Sequence, residues 1–396
     1  MKLTIAALAL LPWAVLSTTA LAEEANAARI QALEQELSAV KARQDASSWT
    51  ERFKINGFAS VGVGSADNDG GLYGYEKELN WEADSVLGIQ MTFNVNDATE
   101  ATVQLQALGA DDWEPEIEWA FLAYTLDNGA KLRGGKLRLP LYMYSDYLQV
   151  GYAYPFARPN VDVYSLSPIS AYSGADFILP IEFDSATLSY QGFGGEGSAD
   201  INGGSLELKR MAGLVTTLEW SSLTLRGVYA STLLQSAEIA LIDDKDGTFA
   251  GLGFNYDPGD WFLLGEFGRV EVDDAFPDTD AAYLAAGYRI DAFTPYLMVG
   301  QTETQDDDLR AGLDVFGVRS SFDSKRTTYS AGVRWDFMPG LALKADVTLA
   351  DNFGSTTGDL PGNEGLADLP FVGVTSINTG TYNDTTIYSI VLDAVF

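Results

Sequence analysis

From Phe53 to its last residue the chain is a succession of sixteen period-two segments whose connections alternate between short and long. The segments lie near 53–64, 84–94, 99–108, 116–126, 130–139, 175–183, 186–192, 205–220, 223–232, 248–257, 261–271, 280–290, 293–302, 327–337, 341–351 and 386–396. Short connections read "NDAT", "DNGA", "DSA", "SS", "DPGD", "DA" and "MPG". Between them come 65–83, 109–115, 140–174, 193–204, 233–247, 272–279, 303–326 and 352–385. A soluble sandwich also alternates, but its polar face looks outward, and alternation alone does not separate it from a membrane barrel. The unequal connections do: an up-and-down antiparallel barrel with two unequal ends has short turns on one side of a membrane and long loops on the other. The even number of segments returns both ends of the domain to the short-turn side.

The faces agree. In "TTYSAGVRWDF", Tyr329, Ala331, Val333, Trp335 and Phe337 oppose Thr328, Ser330, Gly332, Arg334 and Asp336. In "LALKADVTL", leucines and Val347 oppose Lys344, Asp346 and Thr348. In "EIEWAFLAYT", the outward face is expected to be Ile117, Trp119, Phe121 and Ala123, with Glu116, Glu118 and Tyr124 opposite. Aromatics gather at the short turns: Trp220, Tyr256, Trp261, Trp335, Phe337 and Phe396. An interfacial girdle belongs there. The chain also stops inside its best strand, "IYSIVLDAVF". A barrel in lipid has no free edge, so its last strand must pair with its first.

The residues before Phe53 are different material. Lys2, the apolar "IAALALLPWAVL" and Ala20-Leu21-Ala22 form a signal peptide over 1–22, too short in its apolar part to span a bilayer. Residues 23–48 carry no Gly or Pro and place Ile30, Leu33, Leu37 and Val40 at a and d spacing. That predicts a short coiled-coil helix that joins chains already held together elsewhere, or a single helix lying on its own domain. The barrel domain is expected over 49–396. The expected fold is therefore all-β, a sixteen-stranded antiparallel transmembrane barrel preceded by a short α-helical coiled-coil segment.

Composition removes several functions. There is no histidine and no cysteine, which excludes Ser-His-Asp and Cys-His catalysis and thiolate metal sites. A carboxylate pair could still act on glycosides. With 24 Lys+Arg against 56 Asp+Glu, the formal net charge is −32, the wrong sign for a nucleic-acid binder. No catalytic residue, metal site or cofactor is assigned. The acidic runs "ADNDGG" and "DDKDG" lack the spacing of a calcium loop and read as solvated surface. "GFGGEG" opens no helix and reads as loop rather than as a phosphate site.

In "GKLRLPLYMYSDYLQVGYAYPFARPNVDVY", "GVRWDFMPGLALKADV" and the terminal "SIVLDAVF", the chain resembles the sixteen-stranded trimeric porins of Gram-negative outer membranes. The resemblance covers about 53–396 and implies a homotrimer in lipid and lipopolysaccharide. It also implies an assembly signal at Phe396 read by the outer-membrane assembly machinery. The loop near 140–174 would be a constriction folded into the lumen. The early helix is similar to the periplasmic trimerising segments of some solute-selective porins. One departure is plain: the family pairs a compact acidic loop motif with a basic wall, whereas Asp146, Asp162 and Asp176 are spread out.

The charges suggest where a pore would be tuned. "KLRGGKLRLP" holds Lys131, Arg133, Lys136 and Arg138, and a bulge at Gly134-Gly135 would keep all four on one face. Facing lipid, each would cost about 2–4 kcal/mol near the midplane, so a water-lined ladder is expected. It would select ions by sign or supply ordinary lumen polarity. Arg226, Arg334, Lys209, Arg289 and Lys344 are read as luminal, as are Glu116, Glu118, Glu207, Glu266, Asp336 and Asp346. Asp146, Arg158 and Asp162 would sit on the constriction loop. Its many tyrosines either pack the loop against the wall or stack with a passing solute. The sequence thus predicts a channel in the bacterial outer membrane for small hydrophilic solutes or ions, general or selective. The rival is a non-conducting structural or adhesive barrel that works through its acidic extracellular loops.

Overall fold

The computed structural model describes residues 29, 34–38, 52–201, 204–238, 243–274, 276–305, 323–369, 374–378 and 382–396. Residues 34–38 are helical, with Leu37 exposed; Ile30, Leu33 and Val40 of the expected seam lie outside the described residues, as does the segment 1–22. Contacts separate Met1–Lys54 from the unit Ile55–Phe396.

The second unit is one closed antiparallel sheet of sixteen strands. They are β1 (Phe53–Ala66), β2 (Val86–Asn94), β3 (Thr99–Leu108), β4 (Pro115–Thr125), β5 (Lys131–Arg138), β6 (Ala171–Glu182), β7 (Ala186–Ile201) and β8 (Gly204–Trp220). Then follow β9 (Leu223–Gln235), β10 (Lys245–Tyr256), β11 (Trp261–Val272), β12 (Thr279–Tyr288), β13 (Phe293–Thr304), β14 (Lys325–Met338) and β15 (Leu341–Asp351). A two-stranded hairpin, β16 (Glu364–Leu369) and β17 (Val374–Asn378), occupies the last long loop before β18 (Thr385–Val395). Every neighbour is consecutive in the chain except at this hairpin and at the closure.

β18 closes the ring on β1, from Phe58 opposite Val395 to Ala66 opposite Ile387. Beyond the strand itself, Phe396 N donates to Gly57 O at 2.9 Å and Gly57 N donates to Phe396 O at 2.7 Å. The final residue is thus the last rung of the ladder. A Cβ on Gly57 would lie 2.2 Å from the Phe396 ring, so the glycine makes room for the ring to lie across it.

The outer surface is apolar. Tyr329, Val333, Trp335 and Phe337 are exposed, as are Tyr388, Ile390 and Leu392, while Lys344, Asp346, Thr348, Ser389 and Asp393 are buried inside. At the short turns Trp220, Tyr256, Trp261, Trp335, Phe337 and Phe396 all face outward. Lipid replaces water as the solvent for these side chains, which inverts the usual arrangement of a soluble sheet. Among the described residues no helix is long and apolar enough to cross a membrane.

Three expectations need correction. The "loop" 193–204, with its "GFGGEG", is strand: β7 and β8 pair from Ala186–Trp220 up to Ile201–Gly204. Glycine there supplies close approach rather than flexibility. Gly135, Gly174 and Gly195 are in register across β5, β6 and β7, and a Cβ on any of them would meet a neighbouring carbonyl oxygen at 2.1–2.2 Å. Second, the face of β4 changes. A register shift between Gln104 and Leu105 sets Glu118 out of the β3 pairing. Beyond it Leu122 and Tyr124 face lipid, Ala123 is buried and Phe121 lies under the Arg133 guanidinium. One inserted residue reverses the side on which every later residue lies. Third, shifts at Gly195/Gly197 and Lys209/Ala212 do the same in β7 and β8. Leu206 and Leu208 turn inward, which leaves Glu207 and Lys209 outside, paired at 3.2 Å, instead of luminal.

Candidate functional site: the loop across the lumen

The connection 139–170 does not rise from the barrel. It leaves β5, crosses the lumen, reaches β14, β15 and β18, and returns to β6. Its ends are tied together by Leu139 N donating to Ser170 O at 2.8 Å. Two 3-10 turns (Ser145–Tyr147 and Gly151–Ala153) and one helical turn (Val161–Tyr164) shape it. The Asn160 side chain caps the helical turn by accepting from Val163 N.

On one side the loop is bolted by charge. Arg158 donates from Nη2 to Asp84 Oδ2 at 2.6 Å and to Ser389 Oγ at 2.5 Å, and its Nη1 lies 3.3 Å from Asp346 Oδ1. Tyr73 and Tyr75 cover the same guanidinium. Burial alone would weaken the Arg158 charge, but the Asp84 and Asp346 carboxylates outweigh it and hold the pKa above the ordinary arginine value. Lys344 Nζ donates to Gly151 O at 2.6 Å and pairs with Asp393 at 2.9 Å, which in turn accepts from Ser60 Oγ at 2.6 Å. Arg326 pairs with Asp162 at 2.8 Å, and Thr328 donates to the same carboxylate. Arg334 donates to Tyr152 O at 2.7 Å and Tyr154 O at 3.0 Å.

On the other side it is packed by apolar contact. Phe156 stands edge-on to Phe262 and Tyr296, with ring centroids 6.0 and 5.1 Å away. Leu139, Leu141, Tyr142 and Val163 join Phe193, Val215, Phe249 and Leu264 in one buried cluster. One carboxylate is enclosed here: Glu266 accepts from Met143 N (2.8 Å), Tyr164 OH (2.6 Å) and Tyr283 OH (2.8 Å). Burial pushes the loop phenols of Tyr142, Tyr144, Tyr154 and Tyr164 up, so they stay protonated. Packing, the first of the two roles considered for these tyrosines, is what Tyr142, Tyr144 and Tyr154 do.

The residues singled out from the sequence separate into three places. Arg158 and Asp162 are buried braces of the loop, not charges open to a passage. Arg133 grips Asp176 (Nε to Oδ1 2.9 Å) on the inner wall, and Asp176 also accepts from Gln191 at 2.8 Å. Lys131 pairs with Glu100 at 3.0 Å on the same side. Arg226 donates to Pro140 O at 2.7 Å, and the exposed Asp146 lies within electrostatic reach of Arg133, Arg138 and Arg226. Tyr147 stands beside it, its phenol raised to about 12 by burial and by the Glu266 and Asp146 carboxylates.

The four-charge ladder is split. β5 keeps an unbroken register with both neighbours, so no bulge at Gly134-Gly135 realigns it. Lys136 and Arg138 therefore fall on the alternate side from Lys131 and Arg133. Arg138 is buried against Glu118 at 2.9 Å, with Gln106 and Ser170 on the same carboxylate. Lys136 is exposed and donates to Ile117 O at 2.6 Å. Here β4 rises past the last β5 pair (Ala120 with Lys136), and β7 rises past the last β6 pair (Ser173 with Glu196). The tips of β5 and β6 turn inward with the loop and leave a polar notch of about 320 Å³, lined by Glu116, Glu118, Lys136, Ser173, Glu196 and Lys209.

The braces Asp84 and Arg326 escaped the sequence reading. Asp84 lies next to a long loop and Arg326 at a strand end, and nothing local marks either as the partner of a loop residue.

The outer membrane protein beta-barrel domain family matches residues 211–367. That match, under half of the chain, marks an outer-membrane β-barrel, and the barrel's fold is porin-like. The same architecture recurs in OmpT of Vibrio cholerae, 13% identical, with TM-score 0.54 over 87% of this chain and 97% of that one. It recurs in the outer membrane channel DcaP of Acinetobacter baumannii, 12% identical, TM-score 0.56, covering 87% and 97%. It recurs again in Salmonella typhi OmpF in complex with daunomycin, 11% identical, TM-score 0.57, covering 87% and 97%. At these identities what the porin-like barrel shares with them is the fold. No curated protein matches the chain in sequence.

Proposed function

We propose that the protein is a passive channel for small hydrophilic solutes or ions, working as a homotrimer in outer-membrane lipid and lipopolysaccharide, with no reaction catalysed. The observation that carries this reading is the loop 139–170, held across the lumen by buried ion pairs at Arg158, Lys344 and Arg326. A closed structural barrel gains little from fixing a neck so firmly. A channel needs a neck of constant width, and fixed charges beside it sort ions by sign. Arg133 and Arg226 on the wall and Asp146 on the loop supply those charges. The long acidic loops then face the outside and the 23–48 segment the periplasm. The trimer form of OmpT of Vibrio cholerae is consistent with the proposed oligomer.

Current across a planar bilayer tests this. Folded protein should conduct in groups of three equal steps, and Arg133→Gln should move the reversal potential in a salt gradient toward cation preference. Silence from protein that migrates as folded on unboiled gels would overturn the channel. In that event the reading would pass to a closed barrel that acts through its acidic loops.

A further inference from the structure

In a water-filled barrel the inner wall is polar. Over β8 to β11, on the long-loop side of the crossing loop, it is not. Leu206, Leu208, Met211, Ala230, Leu234 and Phe249 all point inward and are buried. They line a cavity of about 430 Å³ whose floor is the crossing loop at Leu139, Leu141 and Leu166. That volume lies within the range of small-molecule sites. Several of its hydroxyls are already engaged. Thr304 Oγ1 donates to Ser324 O at 3.2 Å and accepts from Ser324 N at 3.0 Å, and Ser167 Oγ donates to Ile169 O at 3.1 Å. Water needs two to four polar partners to be held in a cavity, so the leucine-lined part of this one favours an apolar guest over water.

The charge at the site narrows the guest. Asp359 is the one charged side chain among the described lining residues. It is half exposed, accepts from Ser324 Oγ at 2.5 Å and has Arg326 Nη1 3.5 Å away. Among the described residues no lysine or arginine lines the cavity to receive an anion, and a carboxylate buried there without a partner would be strongly disfavoured. We infer that this cavity is a binding site for a compact molecule with an aromatic or alicyclic body and a single amine, the body over Leu208, Leu234 and Phe249 and the amine toward Asp359. Binding here does not depend on conduction, so it stands or falls separately from the channel reading.

The test is fluorine NMR on the full chain in lipid nanodiscs, with 4-fluorobenzylamine and its anionic counterpart 4-fluorobenzoate as probes. The amine should show saturable binding, and the benzoate at least ten-fold weaker binding. Ala230→Phe fills the cavity and should abolish amine binding, while Asp359→Asn should weaken it several-fold. Should Ala230→Phe not fold, Leu208→Gln keeps the volume, makes the lining polar and should weaken binding at least ten-fold. Equal binding of the two probes, or amine binding untouched by a folded cavity variant, would overturn the assignment; so would no binding at all.

Discussion

The two halves of the inner wall hold the same loop by opposite means. From β14 through β18 to Asp84, just before β2, the contacts are ionic: Arg158 with Asp84 and Asp346, Lys344 with Asp393, Arg326 with Asp162. From β7 to β13 they are chiefly apolar, with Phe156 and Val163 set among Phe262, Phe249 and Tyr296, and with Glu266 and Arg226 as the polar exceptions. The ionic half specifies position, because each pair is satisfied in one geometry alone. The apolar half specifies less sharply, because dispersion and burial are nearly non-directional. The apolar side has room left over, and that room is the cavity above the loop.

The largest effect should come from breaking the ionic side. Arg158→Met leaves Asp84 and Asp346 buried without their cation, at a cost of about 3–5 kcal/mol. Urea unfolding in lipid should show that loss, and single-channel records should become noisy as the neck loosens. The pair Lys344–Asp393 sharpens the point. Lys344→Met alone should cost about 3–5 kcal/mol, but adding Asp393→Leu should recover most of it, since replacing both members of a buried pair with apolar side chains is often neutral. Failure to recover would mean that Ser60 and Gly151 O contribute more than the pair itself.

On the apolar side, Val163→Ala should cost about 1–3 kcal/mol by loss of buried methyls and the space left behind, with neck noise unchanged. If it loosened the neck as much as Arg158→Met, the contrast between the halves would fail. Smallest is a pair outside both. Asp257, in a short turn, is held below the usual carboxylate range because Arg289 donates to it twice, at 2.7 Å each. A depressed carboxylate stabilises above its unfolded pKa of about 3.9 and loses that contribution as pH falls through the folded value. Both side chains are over a third exposed, so Asp257→Asn should cost under about 1 kcal/mol at pH 7. The difference from the parent protein should shrink as unfolding is measured at progressively lower pH through the carboxylate range.

Much of this molecule was legible because β-strands in lipid write their rules locally. Strand number, the two classes of connection, the girdle residues and the closure through Phe396 follow from alternation and from the ban on free edges. What failed did so at irregularities. Glu118, Gly195 and Arg210 sit at or beside register shifts, and each reverses the side on which its successors lie. Trp119 and Phe121 look outward in the sequence for that reason, and Glu207 and Lys209 look inward. Gly134-Gly135 offered a bulge that the ladder did not take, because Gly135 faces Gly174 and the two strands pair without slipping.

The candidate site was legible in its place and not in its contents. A loop longer than its neighbours after the fifth strand, rich in tyrosine and proline, marked the crossing segment. That Arg158 would be a brace while Asp146 stayed open could not be read there. By itself the sequence determined a closed sixteen-stranded barrel with two unequal ends, because alternation and turn spacing are properties of neighbouring residues. Only the tertiary structure decided which charges are spent in holding the loop, where the wall gives way to a notch and which part of the lumen is apolar. Those outcomes depend on partners hundreds of residues apart, such as Ser60 with Asp393 and Arg158 with Ser389, and on bulges whose effect appears only when the register is drawn around the ring.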